Sequence, residues 1–492
     1  MAKNLHVHFM GIGGSGIASI AVIAKKSGFI VTGCDYNETC YSDILRNNEI
    51  DIETGHDEAH LEGIDILAVS PAVFDINPNH PEVIEARKRG ILMTWQAFMG
   101  KYLQDDKYVI AVAGTHGKST TTVLAGLTLE AGGLDPLVEA GTIYRPWGGG
   151  FRMSDSKYFV CEADEFNNNF LNYSPSLMII NNIEMDHPEF FNNFTEFKEA
   201  FKNFIRNIKL PGTLVVNEES EGVREVLTEM KEWFLENPIK VIGYYIKEKF
   251  DFPFDLEYKG EINNIDKEGV NFNVWGEKVI ADFNLGLLGE YNVSNALGVL
   301  CAAFELDITL ETLKEVFHNY KGVGRRTELV EEVSGIKVFD DYGHHPTAIS
   351  AVLDTLKKVY PNQKVYAVVE PHQISRLRLF PNEFIEALSK ADEAIVTKSY
   401  IGREINKHLE PVDMNALINK VESDKACYIE EFNEVAEIIA LKARTGDIVI
   451  VFGAGNSYKL TNLIIEQLRN KNLQIDETVE YVSKLTTKRV LK

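Results

Sequence analysis

Cysteine is scarce in this chain. Cys34, Cys40, Cys161, Cys301 and Cys427 are the whole complement, no two stand at C-x-x-C spacing, and five cannot all pair. A disulfide framework is therefore not expected, whereas reduced thiols in the cytoplasm are. Positive charge is also in deficit. Fifty lysines and arginines face seventy-three acids, a formal charge of −23, which argues against a general nucleic-acid-binding or anionic-membrane surface. Only a local basic pocket for an anionic substrate is left open. No apolar run reaches the ~20 residues of a membrane span. The opening "MAKNLHVHFMGIGG" leads directly into a strand, so no targeting segment is expected. Short-period repeats and low-complexity stretches are missing as well.

What is present is ordinary soluble composition, 45% hydrophobic and 25% charged, in 492 residues, a length for two to four domains. Strand-length apolar runs alternate with helical patterns, which predicts an α/β protein with mostly parallel sheets. Three blocks emerge. The first contains "LHVHFMGIGGSG", "FIVTGCD" and "IDILAVSPA". The second opens on "YVIAVAG" and includes "KYFVCEAD", "SLMIINNI" and "GTLVVN". It then changes, between Phe252 and Leu288, to short antiparallel strands with Gly and Asn turns, followed by two helices. The third runs from "KGVGRRTEL" through "IKVFDDY", "KVYAVVE", "EAIVTK" and "GDIVIVFGAG". The pattern shifts divide the chain at 1–106, 107–323 and 324–492. The charged tail after Asn472 reads as one exposed helix.

"YVIAVAGTHGKSTTT" has the setting of a phosphate loop: a buried strand, a glycine turn, then Lys118 and Ser119 opening a helix. Backbone N–H groups of the turn and the helix N-terminus point at an anion. Lys118 is placed to reach the terminal phosphates and the Ser119 hydroxyl to meet Mg²⁺. The long form G-x-x-x-x-G-K-[ST] is not met, because Val112 stands at its first glycine. The tighter G-x-x-G-K-S runs from Gly114 to Ser119. Downstream, Glu162 ends the strand in "FVCEADE", and Asn182 and His187 follow the next strand in "IINNIEMDH". Ligands gather beyond such strand ends in open α/β sheets. A carboxylate and an imidazole there could hold Mg²⁺, although Mg²⁺ prefers oxygen and a loop histidine can be simply hydrogen-bonded.

The first block carries a second glycine motif, Gly11, Gly13 and Gly16, with Asp35 ending the next strand. Alone, this is a dinucleotide fingerprint, and a dehydrogenase is its rival reading. The same turn binds any diphosphate, and two nucleotide loops in one chain suit a dehydrogenase poorly.

"AGTHGKST", "EADE", "NNIEMDH", "GEYNVSNA", "GVGRRTEL", "DDYGHHPTA" and "FGAGN" occur in the order found in the Mur ligases of peptidoglycan synthesis, and the chain resembles that family over about residues 5–460. The resemblance implies three α/β domains: a Rossmann-like UDP-sugar domain, a central P-loop ATPase domain with a small antiparallel β element, and a Rossmann-like domain that delivers the amino acid. It also implies ATP and two Mg²⁺ ions. By resemblance, Gly114, Thr115, His116, Gly117, Lys118, Ser119 and Thr120 hold the phosphates. Ser119, Glu162 and His187 serve the metals, Asn292 and Asn295 flank the adenine, and Arg326 and Asp341 close over the nucleotide. Asn292 also reads as a helix N-cap, a role compatible with adenine contact. The first glycine turn then takes the UDP-sugar, with Gly13, Ser15, Gly16, Asp35, Ser70 and Asn77 as contacts. Tyr342, His344, His372 and Arg376 fall to the amino acid. His344 is a candidate for the amine proton, and His345 reads as a turn residue.

"GIGGSGIASIA", "DDYGHHP" and "EPHQISRLR" most resemble the branch that joins L-alanine to the lactyl carboxylate of UDP-N-acetylmuramate. The implied chemistry is an acyl phosphate formed from ATP, then attack by the amine. In that branch arginine follows the histidine where this chain has Gln373, and "SYIGRE" replaces a proline-containing loop. Glycine or L-serine therefore remain alternative amino acids, and a branch that attaches a recycled tripeptide to the same UDP-sugar is the nearest rival. A non-catalytic nucleotide-binding protein is the rival of another class. Lys198 and Lys202, on the helix after "DH" where some relatives carry a carbamylated lysine, read as a solvated face. The chain is expected to be a cytoplasmic monomer or homodimer.

Overall fold

A computed structural model of the chain describes residues 4–277, 279–404, 409–421 and 425–471, so the expected tail helix lies outside the described residues. The chain divides into two compact units, one ending at Gly324 and one beginning at Arg325. The described residues form three sheets, two in the first unit and one in the second. The three-domain α/β architecture expected from the sequence is the one observed.

The first sheet is parallel, with strands β1 (His6–Met10), β2 (Ile30–Asp35), β3 (Asp51–Thr54), β4 (Ile66–Val69) and β5 (Leu92–Thr94) in the order β3-β2-β1-β4-β5. The order reverses beside β1, and the glycine turn sits at that strand's C-terminal end, where such sheets place ligands.

The second sheet has ten strands: β6 (Tyr108–Ala113), β7 (Leu137–Tyr144), β8 (Gly149–Arg152), β9 (Tyr158–Ala163), β10 (Leu177–Ile180), β11 (Gly212–Asn217), β12 (Ile239–Tyr245), β13 (Leu256–Asp266), β14 (Gly269–Gly276) and β15 (Val279–Leu285). Their order is β15-β14-β13-β12-β11-β10-β6-β9-β7-β8. The phosphate-loop strand β6 lies between β10 and β9, parallel to both. The antiparallel strands after Phe252 do not stand apart. β13 pairs parallel with β12, so the meander β13–β15 extends the same sheet.

Alternate residues of the central strands feed opposite cores, as a pleat of period two requires. Val109 and Ala111 of β6, with Met178 and Ile180 of β10, join one core. Ile110 and Val112, with Leu177 and Ile179, join the other. The first core also takes Val7 and Phe9 of β1, so the first two sheets share it. This is why strands buried on both faces read as unbroken apolar runs.

The third sheet comprises β16 (Glu328–Val333), β17 (Ile336–Asp341), β18 (Val365–Val369), β19 (Glu393–Val396), β20 (Ala426–Tyr428) and β21 (Ile448–Phe452), in the order β16-β17-β21-β18-β19-β20. All its pairings are parallel except β16–β17. Among the described residues no helix is long and apolar enough to cross a membrane.

The helix Phe194–Arg206 follows the "DH" segment and is opened by Asn193, whose side chain accepts the Glu196 N–H. Phe197, Phe201 and Phe204 fall on one stripe and are buried, each contributing roughly 1.5–3 kcal/mol by leaving water. The opposite face corrects the sequence expectation. Lys198 and Lys202 are not a solvated face; their side chains are only 9% and 13% exposed. Lys198 pairs with Glu225 and Glu229, and Lys202 with Glu199 and Glu229. The helix Glu221–Glu229 returns over that face and supplies two of the acids, which periodicity within one helix cannot reveal.

Glu218, just beyond β11, is wholly buried. One carboxylate oxygen accepts the Phe250 N–H at 2.9 Å and the other has no hydrogen-bond partner. Burial pushes its pKa up to about 7. The folded state then holds a proton that the unfolded chain releases near the ordinary carboxylate value. The resulting stability is complete below about 4.5 and is lost as pH rises through about 7. Glu218→Gln, neutral at every pH, is expected to flatten this slope and to be more stable than the parent at pH 8. Denaturation midpoints at several pH values check it.

Candidate active site

β6 ends at Ala113, and the chain turns through Gly114 (φ 138°) and Gly117 (φ 83°) into the helix Lys118–Ala131. Both conformations favour glycine, and space enforces the second. A Cβ at Gly117 would lie 2.4 Å from Asn295 Oδ1 and 2.8 Å from Asn181 Nδ2. Among the described residues no side chain caps this helix, so its first N–H groups are suited to an anion.

The segment after β10 clamps the loop. The Thr115 N–H donates to the Asn182 carbonyl, and the His116 N–H to Asn182 Oδ1 at 2.8 Å. Asn181 and Asn182 each donate their amide to the His116 carbonyl. Thr115 Oγ1 donates to the Glu184 carbonyl at 2.8 Å, and His116 Nε2 lies 3.1 Å from Glu184 Oε2. Ser119 and Thr120 are buried in the first helical turn. Asn292 is not a helix N-cap. Its helix, Glu290–Glu305, is opened by Gly289, so Asn292 is the third residue. There its amide donates to the Leu288 carbonyl and its oxygen accepts from Asn295. The Asn292–Asn295 pair thus adjoins the phosphate loop through Asn295.

Lys118 Nζ donates to the Gly114 carbonyl and to Glu165 Oε2, both at 2.7 Å. Burial alone would lower its pKa, but the charges of Glu165, Asp164 and Glu162 raise it, so the ammonium is held charged. His187, in a left-handed conformation (φ 53°), sits beside Glu165 and Asp164. Burial opposes its protonation, but Asp186, Glu189 and Glu165 outweigh that and raise its pKa.

Asp164, Glu165 and His187 each bring one ligand atom to within 4.8 Å of the others. Glu165 Oε1 has no hydrogen-bond partner and lies 3.8 Å from His187 Nε2. An orphaned, buried carboxylate oxygen beside a second carboxylate and an imidazole fits a divalent cation, with oxygen donors in the majority. Glu162 is not in this group. It turns toward β7 and accepts the Gly141 N–H at 2.9 Å. Glu165 is not among the candidates the sequence suggests, although "EADE" displays it; the strand-end rule points to the first acid of the motif.

At the first glycine turn, Gly11 has φ 77°. Asp35 does not stand clear of the turn, for its Oδ2 accepts the Gly13 N–H at 2.9 Å. Ser15 begins the helix Ser15–Lys26. Gly16 lets that helix approach Trp95, which a Cβ there would meet at 2.8 Å. Ser70 precedes the helix Pro71–Ile76 and Asn77 follows it. The structure therefore gathers Gly13, Asp35 and Gly16 around one turn, and Ser70 reaches it through Gly11, where an added Cβ would lie 3.1 Å from the Ser70 Cβ.

In the second unit, Asp341 ends β17 and braces its own loops. It accepts from the Thr327 N–H and hydroxyl and from the Gly343 N–H. Burial raises its pKa, against the pull of Arg326. The Arg326 guanidinium lies 4.9 Å from the Tyr342 ring centre. His344 Nδ1 is 3.0 Å from the Tyr342 carbonyl, and its ring meets that of His372 at 5.2 Å. Arg376 is buried and donates to the His372 carbonyl and to Gln373 Oε1, at 2.9 and 3.1 Å. His344, His372 and Arg376 share a small cleft with Pro346, Phe380 and Phe384. Gln373 (φ 69°) is turned inward onto Arg376. His345, expected as a turn residue, opens the helix Pro346–Val359, accepting the Thr347 N–H.

Fold and site define a three-sheet α/β protein with a lysine-bearing phosphate loop in its central sheet and a second glycine turn in its first. Family profiles cover it in three stretches: Mur ligase family, catalytic domain, over residues 6–106; Mur ligase middle domain, over 112–303; and Mur ligase, glutamate ligase domain, over 325–455. The UDP-N-acetylmuramate–L-alanine ligase of Caldicellulosiruptor saccharolyticus is 36% identical over 461 residues, 93% of this chain and 98% of that protein. The crystal structure of the UDP-N-acetylmuramate-alanine ligase of Thermotoga maritima superposes with a TM-score of 0.78 at 25% identity, covering 95% of this chain and all of that one. A murein peptide ligase from Psychrobacter arcticus, 24% identical, shares the fold with a TM-score of 0.72 over 95% of this chain and 99% of its own. The chain belongs to the Mur ligase family.

Proposed function

We propose that this protein is an ATP-dependent ligase that joins L-alanine to the lactyl carboxylate of UDP-N-acetylmuramate in peptidoglycan precursor synthesis. The observation that carries the reaction class is Lys118, held charged inside a phosphate loop and joined through Glu165 to His187. The substrates are supported by the nearly full-length match to ligases that bear that name. Family membership removes the dehydrogenase reading of the first glycine turn. We assign that turn to the UDP-sugar, residues 107–323 to ATP, and residues 324–492 to the amino acid.

In the first step the sugar's carboxylate attacks the γ-phosphate of ATP, the bond to the β-phosphate oxygen breaks, and ADP leaves. Anion meets anion, so catalysis rests on positioning and charge neutralisation. The loop N–H groups orient the phosphates, and Lys118 neutralises charge on the transferring group. Glu165, Asp164 and His187, with the Ser119 hydroxyl, are the residues to hold Mg²⁺, which supplies further charge neutralisation when bound; the two ions expected from the sequence are part of this proposal. In the second step the neutral amine attacks the acyl carbonyl, phosphate departs, and the amine loses a proton, a role we assign to His344 of the cleft. Arg376 is assigned to the amino acid's carboxylate. Gln373, already bonded to that guanidinium, sets its position.

The test is phosphate release from ATP with UDP-N-acetylmuramate and each amine in turn, with mass spectrometry of the product. Dependence on L-alanine is expected. Turnover with glycine or L-serine alone would change the amino acid, turnover with tripeptide alone would move the protein to the recycling branch, and release without an amine would leave an ATPase.

A further inference from the structure

β1 sends Val7 and Phe9 into the core shared with the central sheet. His8, between them, points to the opposite face and is 1% exposed. Cys34 of β2 and Glu82 of the helix Pro81–Arg89 lie there too, both fully buried. His60, from the 3-10 turn Glu58–Leu61, closes the group. One ligand atom from each of the four lies within 4.8 Å of all the others. We propose that His8, Cys34, His60 and Glu82 form a closed site for a borderline divalent d-block cation, with zinc the best fit.

The spacing supports an ion over a hydrogen-bonded knot. His8 Nε2 is 3.6 Å from Glu82 Oε1, and His60 Nδ1 is 3.7 Å from Glu82 Oε2. Cys34 Sγ is 3.9 Å from each Glu82 oxygen. Nitrogen and oxygen that share a proton approach to 2.7–3.2 Å. Donors bonded to one tetrahedral zinc at about 2.0–2.3 Å stand about 3.3–3.8 Å apart. His8 Nε2, buried and aimed into the group, has no hydrogen-bond partner. One thiolate, two imidazoles and a carboxylate are donors that zinc accepts and magnesium does not favour.

The surrounding contacts also suit a metal. His8 Nδ1 lies 2.9 Å from Thr32 Oγ1, which leaves Nε2 to face inward. His60 Nε2 lies 3.0 Å from the Glu53 carboxylate, which turns Nδ1 inward, where its one present partner is the Asp57 N–H at a long 3.4 Å. Carboxylates and hydroxyls behind ligating histidines fix ring orientation in this way. Glu82 Oε2 accepts the Asp57 N–H at 3.1 Å. His56 Nδ1 stands 2.9 Å from Cys34 Sγ. When the metal–sulfur bond forms, the thiol S–H bond breaks, and His56 can take that proton on its way to solvent. Cys34 immediately precedes Asp35, which holds the Gly13 N–H. The site therefore ties the turn Glu58–Leu61 and the helix Pro81–Arg89 to the strand that braces the first glycine loop.

The test uses the full chain, stripped with a chelator and titrated with Co²⁺. One equivalent should produce intense tetrahedral d–d absorption and a thiolate-to-cobalt charge-transfer band, both displaced by Zn²⁺. The phosphate-loop cluster contains no thiol and cannot give that band. The band should vanish in Cys34→Ser and persist in Cys40→Ser and Cys427→Ser. Glu53→Gln should weaken Co²⁺ about 10–100-fold. Zn²⁺ at a hundred times its Kd should raise the folded-to-unfolded ratio about 100-fold. If Cys34→Ser does not fold, His60→Asn, at the edge of the site, must lose the affinity instead. A chain that gives no thiolate band, a band that survives Cys34→Ser, or undiminished affinity in His60→Asn overturns the proposal.

Discussion

Lys118→Ala is expected to reduce product formation by at least about 10²–10³-fold, the loss seen when one preorganised charge-stabilising donor is removed. Lys118 Nζ is bonded to the Gly114 carbonyl and to Glu165, so it is fixed within the loop before ATP arrives. Truncation removes the only cation that the structure places inside that turn among the described residues, and it leaves buried Glu165 without its hydrogen-bonded partner, with only His187 at 3.8 Å. That second effect is costly in its own right, because removing one partner of a buried ion pair is strongly disfavoured. The variant should therefore bind ATP more weakly and show a changed melting temperature as well as slower turnover. Lys118→Arg, which keeps the charge but not the compact ammonium, should recover stability more than activity. Steady-state kinetics and thermal denaturation, measured side by side, separate the two effects. Product at the parent's rate from Lys118→Ala would dismiss the loop's assigned role.

Glu165→Gln should have an effect of similar size by a different route. The amide keeps the volume and one acceptor oxygen but removes the charge that faces both Lys118 and His187. Turnover should fall about 10²-fold or more, and the Mg²⁺ concentration for half-maximal rate should rise. Glu162→Gln, whose side chain is directed to the Gly141 N–H, should raise the Mg²⁺ requirement less. Initial rates across a Mg²⁺ series for both variants check this order. The reverse order would return the metal to the strand-end acid.

The contrast between these two acids shows where the sequence was informative. Strand, turn and helix around Lys118 were legible because each rests on local chemistry: an apolar run, two glycines at positive φ, and a helix start. The direction of Glu165 was not. It depends on the path after β9, where Asn167 and Asn168 take left-handed conformations (φ 53° and 55°) that no spacing rule announces. The burial of Lys198 was not legible because its acids arrive from the helix Glu221–Glu229, more than twenty residues on. The continuation of the central sheet through β13 depends on a parallel pairing with β12 across the loop after Tyr245. Pattern gave the meander its antiparallel character, but it could not say which edge receives it. In the second unit Pro346 is suited to the first helical position, and His345 caps the helix that it opens.

Asn181, Asn182 and His187 belong to one short stretch beyond β10. Its near end grips the loop around His116, and its far end carries the imidazole beside Glu165. The stretch works as a tie rod between two pieces of machinery. An insertion or deletion of a single residue within it would detune the proposed phosphate loop and the proposed cation site together, so neither could drift while the other stayed in place.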